Sequence, residues 1–160
     1  MTAMHAVPDD NSGGRDESAA PPDEGYGRQP PQDQLAEQSV LGSMMLSKDA
    51  IADVVLRLNA GDFYRPIHQH IFDVILDLYT RGEPADAVTV AYELDRRGLL
   101  VRAGGAPYLT DLLQSVPTAA NAGYYADIVA QKATMRRLAS AGTRIAGWGY
   151  SGADGEDVDK

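Results

Sequence analysis

From Asp33 onward apolar side chains recur three and four residues apart, in runs of helical length, and nowhere does a period of two last long enough to demand a strand. That pattern confines the chain to an all-α fold. Asp33 can cap a first helix whose stripe is Ala36, Val40, Leu41, Met44 and Met45, and Ser47 a second through Ile51, Val54, Val55 and Leu58, before a turn at Asn59–Gly61. Pro66 suits the first turn of a third helix, with Ile67, Ile71, Val74, Ile75 and Leu78 inward and Gly82 as its left-handed stop. Asp86 or Thr89 opens a fourth, carrying Val90, Ala91 and Leu94 and ending at Gly98. Gly104 and Gly105 lead into a fifth with Leu109, Leu112, Leu113 and Val116, which Pro117 closes. Phe63, Ile71 and Phe72 are assigned to the core of this head.

The last helix differs in length. Starting near Asn121, the pattern Tyr125, Ile128, Val129, Met135, Leu138, Ile145, Trp148 runs without a proline for about 30 residues, or roughly 45 Å, longer than a compact head of this size is wide. Its far end should project. Met135, Leu138, Gly142 and Ile145 form a short heptad-like seam in which Gly142 admits a close neighbour, at a cost to the helix of about 1 kcal/mol. The residues after Ile145 supply no helix to cover it, so another copy or a continuation of the chain is expected there. The competing reading is an end that frays after Gly142, since Gly147, Gly149, Gly152 and Gly155 follow.

Charge and proline mark the ends. The 160 residues, 44% hydrophobic, leave room for one domain with a core, and 14 basic against 23 acidic residues give −9, which repels phosphate backbones and anionic lipid at long range. Six acids against Arg15 and Arg28 leave residues 1–32 at −4, four against Lys160 leave 151–160 at −3, and 33–150 carry only −2. The first 32 residues also hold Pro8, Pro21, Pro22, Pro30 and Pro31 and almost no large aliphatic side chain, too little to offset ordering costs of about 1–2 kcal/mol per residue. The expected organisation is a disordered leader over 1–32, a helical head over 33–118, a long helix over 119–150 and an acidic flexible end over 151–160. Within the leader, the Pro-Pro pairs and Tyr26 also read as a short peptide ligand. Cys is absent, which removes disulfides and thiolate metal sites and suits a reducing cytosol. With no stretch of membrane-spanning length and no signal-peptide h-region, the sequence reads as soluble and cytoplasmic.

Reactive constellations are missing. A phosphate-binding loop of the G-x-x-x-x-G-K-[ST] type needs a lysine after glycine, and Lys48, Lys132 and Lys160 all lack one. Gly104–Gly105 has no strand before it and no third glycine in phase, so it reads as a helix-entry turn. His68 and His70 point about 200° apart on a helix and cannot share a metal; one should meet a core partner and the other water. Ser43, His70 and Asp73 could make a triad on paper, but no strained nucleophile turn is present. Lys132, Arg136, Arg137 and Arg144 make the long helix locally basic, which offers a nucleic-acid strip or, without interleaved aromatics, a solvated face or an interface rim.

Five runs, AEQSVLGS from Ala36, DFYRPIHQHIF from Asp62, GEPADAVTV from Gly82, GGAPYL from Gly104 and PTAANAGYYADIV from Pro117, resemble in order and spacing the amino-terminal domain of the DnaB-family replicative DNA helicases of bacteria. The resemblance spans about 33–150. It implies a compact helical head followed by a helical hairpin, with only the outgoing arm in this sequence. It also implies dimers and a hexameric collar, a trimer of dimers, beside a RecA-like motor. ATP and magnesium belong to that motor, so this chain is expected to be non-catalytic and without a cofactor. By the same resemblance the collar docks primase and, in some systems, a helicase loader. Tyr108, after the double glycine, and Ala139 and Ile145 on the arm then lie in the region that communicates with primase. Met135, Leu138, Gly142 and Ile145 are the expected self-association residues, and a DNA-binding module using the basic arm is the alternative.

Overall fold

A computed structural model describes residues 28–153. Helices begin where a side chain can satisfy the first free amide groups. Asp33 accepts from the Ala36 N–H at 2.9 Å and opens α1 (Gln34–Leu46); Ser47 accepts from the Ala50 N–H at 3.4 Å and opens α2 (Lys48–Val55). A 3-10 turn, Ala60–Asp62, replaces the expected Asn59–Gly61 turn and leads to α3 (Pro66–Thr80) with Pro66 in its first turn. Of the two candidate caps of α4 (Ala87–Arg96), Asp86 takes the role and accepts from the Val88 and Thr89 N–H groups, while Thr89 Oγ1 accepts from the Asp86 N–H. Gly82 and Gly98 stop α3 and α4 at φ of 73° and 72°. The fifth helix, α5 (Gly105–Gln114), ends before Val116, and a second 3-10 turn, Ala119–Asn121, runs directly into α6 (Ala122–Ala153).

The head is built around α1, which packs against α2, α3, α5 and α6. It is therefore buried on almost every side, from Ala36 to Met45 apart from Gln38, rather than along one stripe. Its polar residues are satisfied locally: Ser43 donates to the Ser39 carbonyl at 2.6 Å and Ser39 to the Ser115 carbonyl at 3.3 Å. Gly42 lets α5 come into backbone contact, because a Cβ there would lie 2.2 Å from the Leu112 carbonyl oxygen. Phe63, Ile71 and Phe72 are core residues as expected, with the two phenyl rings 5.2 Å apart.

Along its start α6 packs on α1 and α2 through Ala122, Ala126, Val129 and Ala133. Past Arg137 it leaves the head and continues as regular helix through Gly142, Gly147 and Gly149 to Ala153, 32 residues or about 48 Å in all. The helix thus continues past Gly142, against the competing reading of a frayed end, and residues 151–153, assigned to the flexible end, belong to it. The last residues of the expected leader also have a place: Arg136 Nη1 donates to the Pro31 carbonyl at 2.8 Å. Residues 1–27, with Tyr26, and 154–160 lie outside the described residues. No helix among the described residues is long and apolar enough to cross a membrane.

Candidate functional site

An α-helix rotates about 100° per residue, so the two faces of α6 can be followed from the head to its tip. Ala122, Ala126, Val129 and Ala133 make the face that the head covers. Opposite it lie Met135 (43% exposed), Leu138 (73%), Gly142 and Ile145 (62%), and a Cβ at Gly142 would meet nothing within 4 Å. All four expected self-association residues therefore share one open face. The face is longer than the sequence reading made it. Stepping back from Met135 by four, three and four residues gives Gln131, Ile128 and Tyr124, so the seam also runs along the outer side of the part of α6 that rests on the head. Ile128 is 38% and Tyr124 74% exposed. The spacing was legible beforehand; that Ile128 points away from the core was not.

The three residues expected to communicate with primase do not form one patch. Ala139 and Ile145 lie about 120° apart around α6, both exposed, and Tyr108 sits half-buried on α5. The hydroxyl of Tyr108 is engaged inside the head. Glu37, buried in α1, accepts from the Tyr64 N–H at 2.6 Å and from His68 Nδ1 at 2.5 Å, while His68 Nε2 lies 2.6 Å from the Tyr108 hydroxyl. The imidazole thus bridges the Glu37 carboxylate on α1 and the Tyr108 hydroxyl on α5 through its two ring nitrogens. Arg65 completes the chain, donating to the same hydroxyl at 3.3 Å with its guanidinium 5.8 Å from the ring centre. The histidine pair thus divides as expected, His68 fully buried and His70 exposed. Sequence reading missed Glu37, because a glutamate in a first helical turn reads as solvated.

The basic arm is partly consumed by the fold. Arg136 donates to the carbonyls of Pro31 and Asp62 and lies 5.4 Å over the Tyr64 ring, and Arg137 pairs with the buried carboxylate of Asp62 at 2.8 Å. Two of the four cations proposed for a nucleic-acid strip therefore tie α6 to the head. Glu93 anchors a second ionic group: hydrogen bonds from Arg96 first and Arg97 second hold its carboxyl at about 2, and Arg96 is raised in return. Arg97 also reaches Asp77 on α3 at 2.6 Å, which marks the group as a strut between α3 and α4. Among the described residues no group of histidine, aspartate and glutamate has the arrangement of a metal site.

The pattern of the DnaB-like helicase N terminal domain matches residues 29–131, the head and the first part of α6. The chain belongs to this family. It is 72% identical over 140 residues to the replicative DNA helicase DnaB of Mycobacterium leprae, covering 88% of this chain and 23% of that protein. It is 49% identical over 127 residues to the replicative DNA helicase DnaC of Bacillus subtilis, covering 79% and 28% respectively. The DnaB-like domain thus spans less than a third of the length of these relatives. In three dimensions it is similar to the crystal structure of the N-terminal domain of DnaB helicase from Mycobacterium tuberculosis, with a TM-score of 0.78, 72% identity, and coverage of 81% of this chain and 93% of that one. The all-α head with a long last helix is therefore the family's fold. Met135 to Ile145 lie beyond the matched residues 29–131, so the family match leaves the open seam to be judged on its own geometry.

Proposed function

We propose that this DnaB-like domain is a non-catalytic collar element of a hexameric replicative DNA helicase, which organises the ring through its long helix and docks primase during DNA replication. The supporting observation is the seam from Tyr124 to Ile145. A large apolar face on a rigid helix, turned away from its own core, is the physical signature of a surface made for another protein. Such a helix has no reason to keep leucine, isoleucine and methionine on its outer side in isolation. Tyr108, Ala139 and Ile145 are the proposed primase contacts, and a helicase loader is a further candidate partner of the same collar. Because Tyr108 spends its hydroxyl on His68, its ring is what it can offer a partner, while Ala139 and Ile145 offer two sides of the arm.

The test is titration of the chain with the helical domain of its cognate primase. Ile145→Asp and Tyr108→Ala should each weaken binding by roughly tenfold or more, the loss of one well-packed contact. Unchanged affinity in both variants would remove the docking role. ATPase assay of the chain alone should give no turnover above blank. In fluorescence anisotropy with single-stranded and duplex DNA at about 0.15 M salt, binding should be weak, since Arg136 and Arg137 are engaged within the fold. Tight, strongly salt-dependent binding would favour the DNA-binding alternative.

A further inference from the structure

The long helix leaves the head through a polar joint. Its inner face rests on α1 and α2 through Ala122, Ala126, Val129 and Ala133, a row made mostly of alanine, and from Thr134 to Gly152 it has no buried side chain. From Ala133 to Gly152 the helix is a lever of about 28 Å, so an angular play of about 10° at its base moves the far end by about 5 Å. Shallow apolar packing therefore leaves the direction of the arm to whatever holds it just past Ala133.

Two arginines stand there, one turn beyond that contact. Arg136 donates through Nη1 to the Pro31 carbonyl at 2.8 Å and through Nη2 to the Asp62 carbonyl at 2.6 Å, with its guanidinium 5.4 Å from the centre of the Tyr64 ring. Arg137 donates to Asp62 Oδ1 at 2.8 Å. Their acceptors are fixed from within the head. Asp62 is buried, and its other carboxylate oxygen accepts from the Asn59 N–H at 3.0 Å. The next residue, Phe63, lies in the core, and its carbonyl accepts from Gln69 Nε2 at 2.8 Å. Pro31 precedes α1 and Asp62 precedes α3, so the two arginines hold the arm to the approaches of both helices. The donors face the other way: the side chain of Arg137 is 63% exposed and Arg136 is half-buried. A joint with rigid acceptors and solvent-facing donors opens locally, without disturbing the core.

We propose that Arg136 and Arg137 form a latch that sets the angle at which the arm leaves the head, and that opening it lets α6 pivot near Ala133 while head and helix both stay folded. The closed latch holds the open face of Met135, Leu138 and Ile145 in one orientation, and the open latch lets that face sweep. The latch stands on contacts within one chain and is independent of the collar reading. Only its use, presenting that face to a partner at a set angle, rests on that reading.

The absence of cysteine allows nitroxide labels at Asp73→Cys on α3 and Ala146→Cys on the arm, both exposed positions of the full chain. Leu138→Asp and Ile145→Asp are added, and the labelled chain is diluted into excess unlabelled chain, so that pulsed dipolar spectroscopy reads the head-to-arm distance within one molecule. A single narrow distance is expected. Arg136→Ala together with Arg137→Ala should at least double its width at unchanged helix content by circular dichroism. Arg137→Gln alone, at a side chain already mostly in solvent, should widen it by a smaller factor. Arg144→Ala removes the same charge beyond the joint and should leave the width as it was. A width indifferent to the arginine pair, or changed equally by Arg144→Ala, overturns the latch. So does broadening that comes with lost helix, which would mean a frayed arm rather than a pivot. Should the double variant unfold, Arg137→Gln decides, and an unchanged width there overturns the latch as well. Primase plays no part in this readout, so the collar reading stands or falls separately.

Discussion

The two halves of α6 are one continuous helix made for opposite surroundings. From Ala122 to Ala133 its inner face is small, and at Gly123 a Cβ would lie 2.6 Å from Asp53 Oδ2 and 3.1 Å from the Arg57 guanidinium. From Met135 to Ile145 the outer face carries the large apolar side chains of Met135, Leu138 and Ile145, which stay open to solvent, and glycine at position 142 faces open space. In the first half glycine and alanine exist because the head is already there. In the second, Gly142 makes room for something that comes from outside. The same residue type carries opposite information in the two halves, which only the surroundings reveal.

Substitutions at the glycines should break this comparison most forcefully. Gly42→Val, against the backbone of α5, should destabilise the head by about 3 kcal/mol or more in urea unfolding, because the clash is with a carbonyl and cannot be relieved by a rotamer change. Gly142→Ala, in the open half, should stabilise helix by up to about 1 kcal/mol and leave the unfolding midpoint of the head in place. A destabilising Gly142→Ala in dilute chain would mean that the open half is already covered by its own head.

Next in size is the buried polar chain. Glu37→Ala removes the acceptor of the Tyr64 N–H and of His68 and should cost about 3 kcal/mol, whereas Tyr108→Phe, which removes one hydroxyl, should cost about 1 kcal/mol. Equal costs for the two would show that Glu37 is not the hub. Smaller still is the ionic strut at Glu93. Its folded value of about 2 lies below the ordinary 4.5, so its contribution is fully present above about 4.5 and is lost as pH falls toward 2. The difference in urea midpoint between the native chain and Glu93→Gln should therefore shrink over that interval; a gap that persists at pH 2 contradicts the hydrogen-bond origin. The smallest effect belongs to deletion of residues 1–27, which should leave the melting temperature nearly unchanged, since their sequence offers almost no large aliphatic side chain to a core.

Much of the fold was legible because helix starts and stops depend on neighbours in sequence. Asp33, Ser47, Asp86, Gly82 and Gly98 act where local chemistry places them. What escaped depends on partners far along the chain. Glu37 meets His68 thirty-one residues away, Arg136 meets Pro31 at a separation of 105, and Gly42 meets Leu112 through the close approach of two helices. None of these leaves a periodic trace. The seam was half legible: the spacing through Met135, Leu138, Gly142 and Ile145 was plain, while its extension to Ile128 and Tyr124 required knowing which side of α6 the head covers. The reverse error, reading Arg136 and Arg137 as free cations, has the same origin, because their acceptors on residues 31 and 62 are invisible to a local reading.

Sedimentation equilibrium of the native chain beside a Leu138→Asp, Ile145→Asp double variant tests the central claim most directly, with helix content followed in parallel by circular dichroism. The native chain should gain mass with concentration, and the variant should remain a monomer of unchanged helicity. Identical mass in the two, at every concentration, would contradict a seam made for another helix.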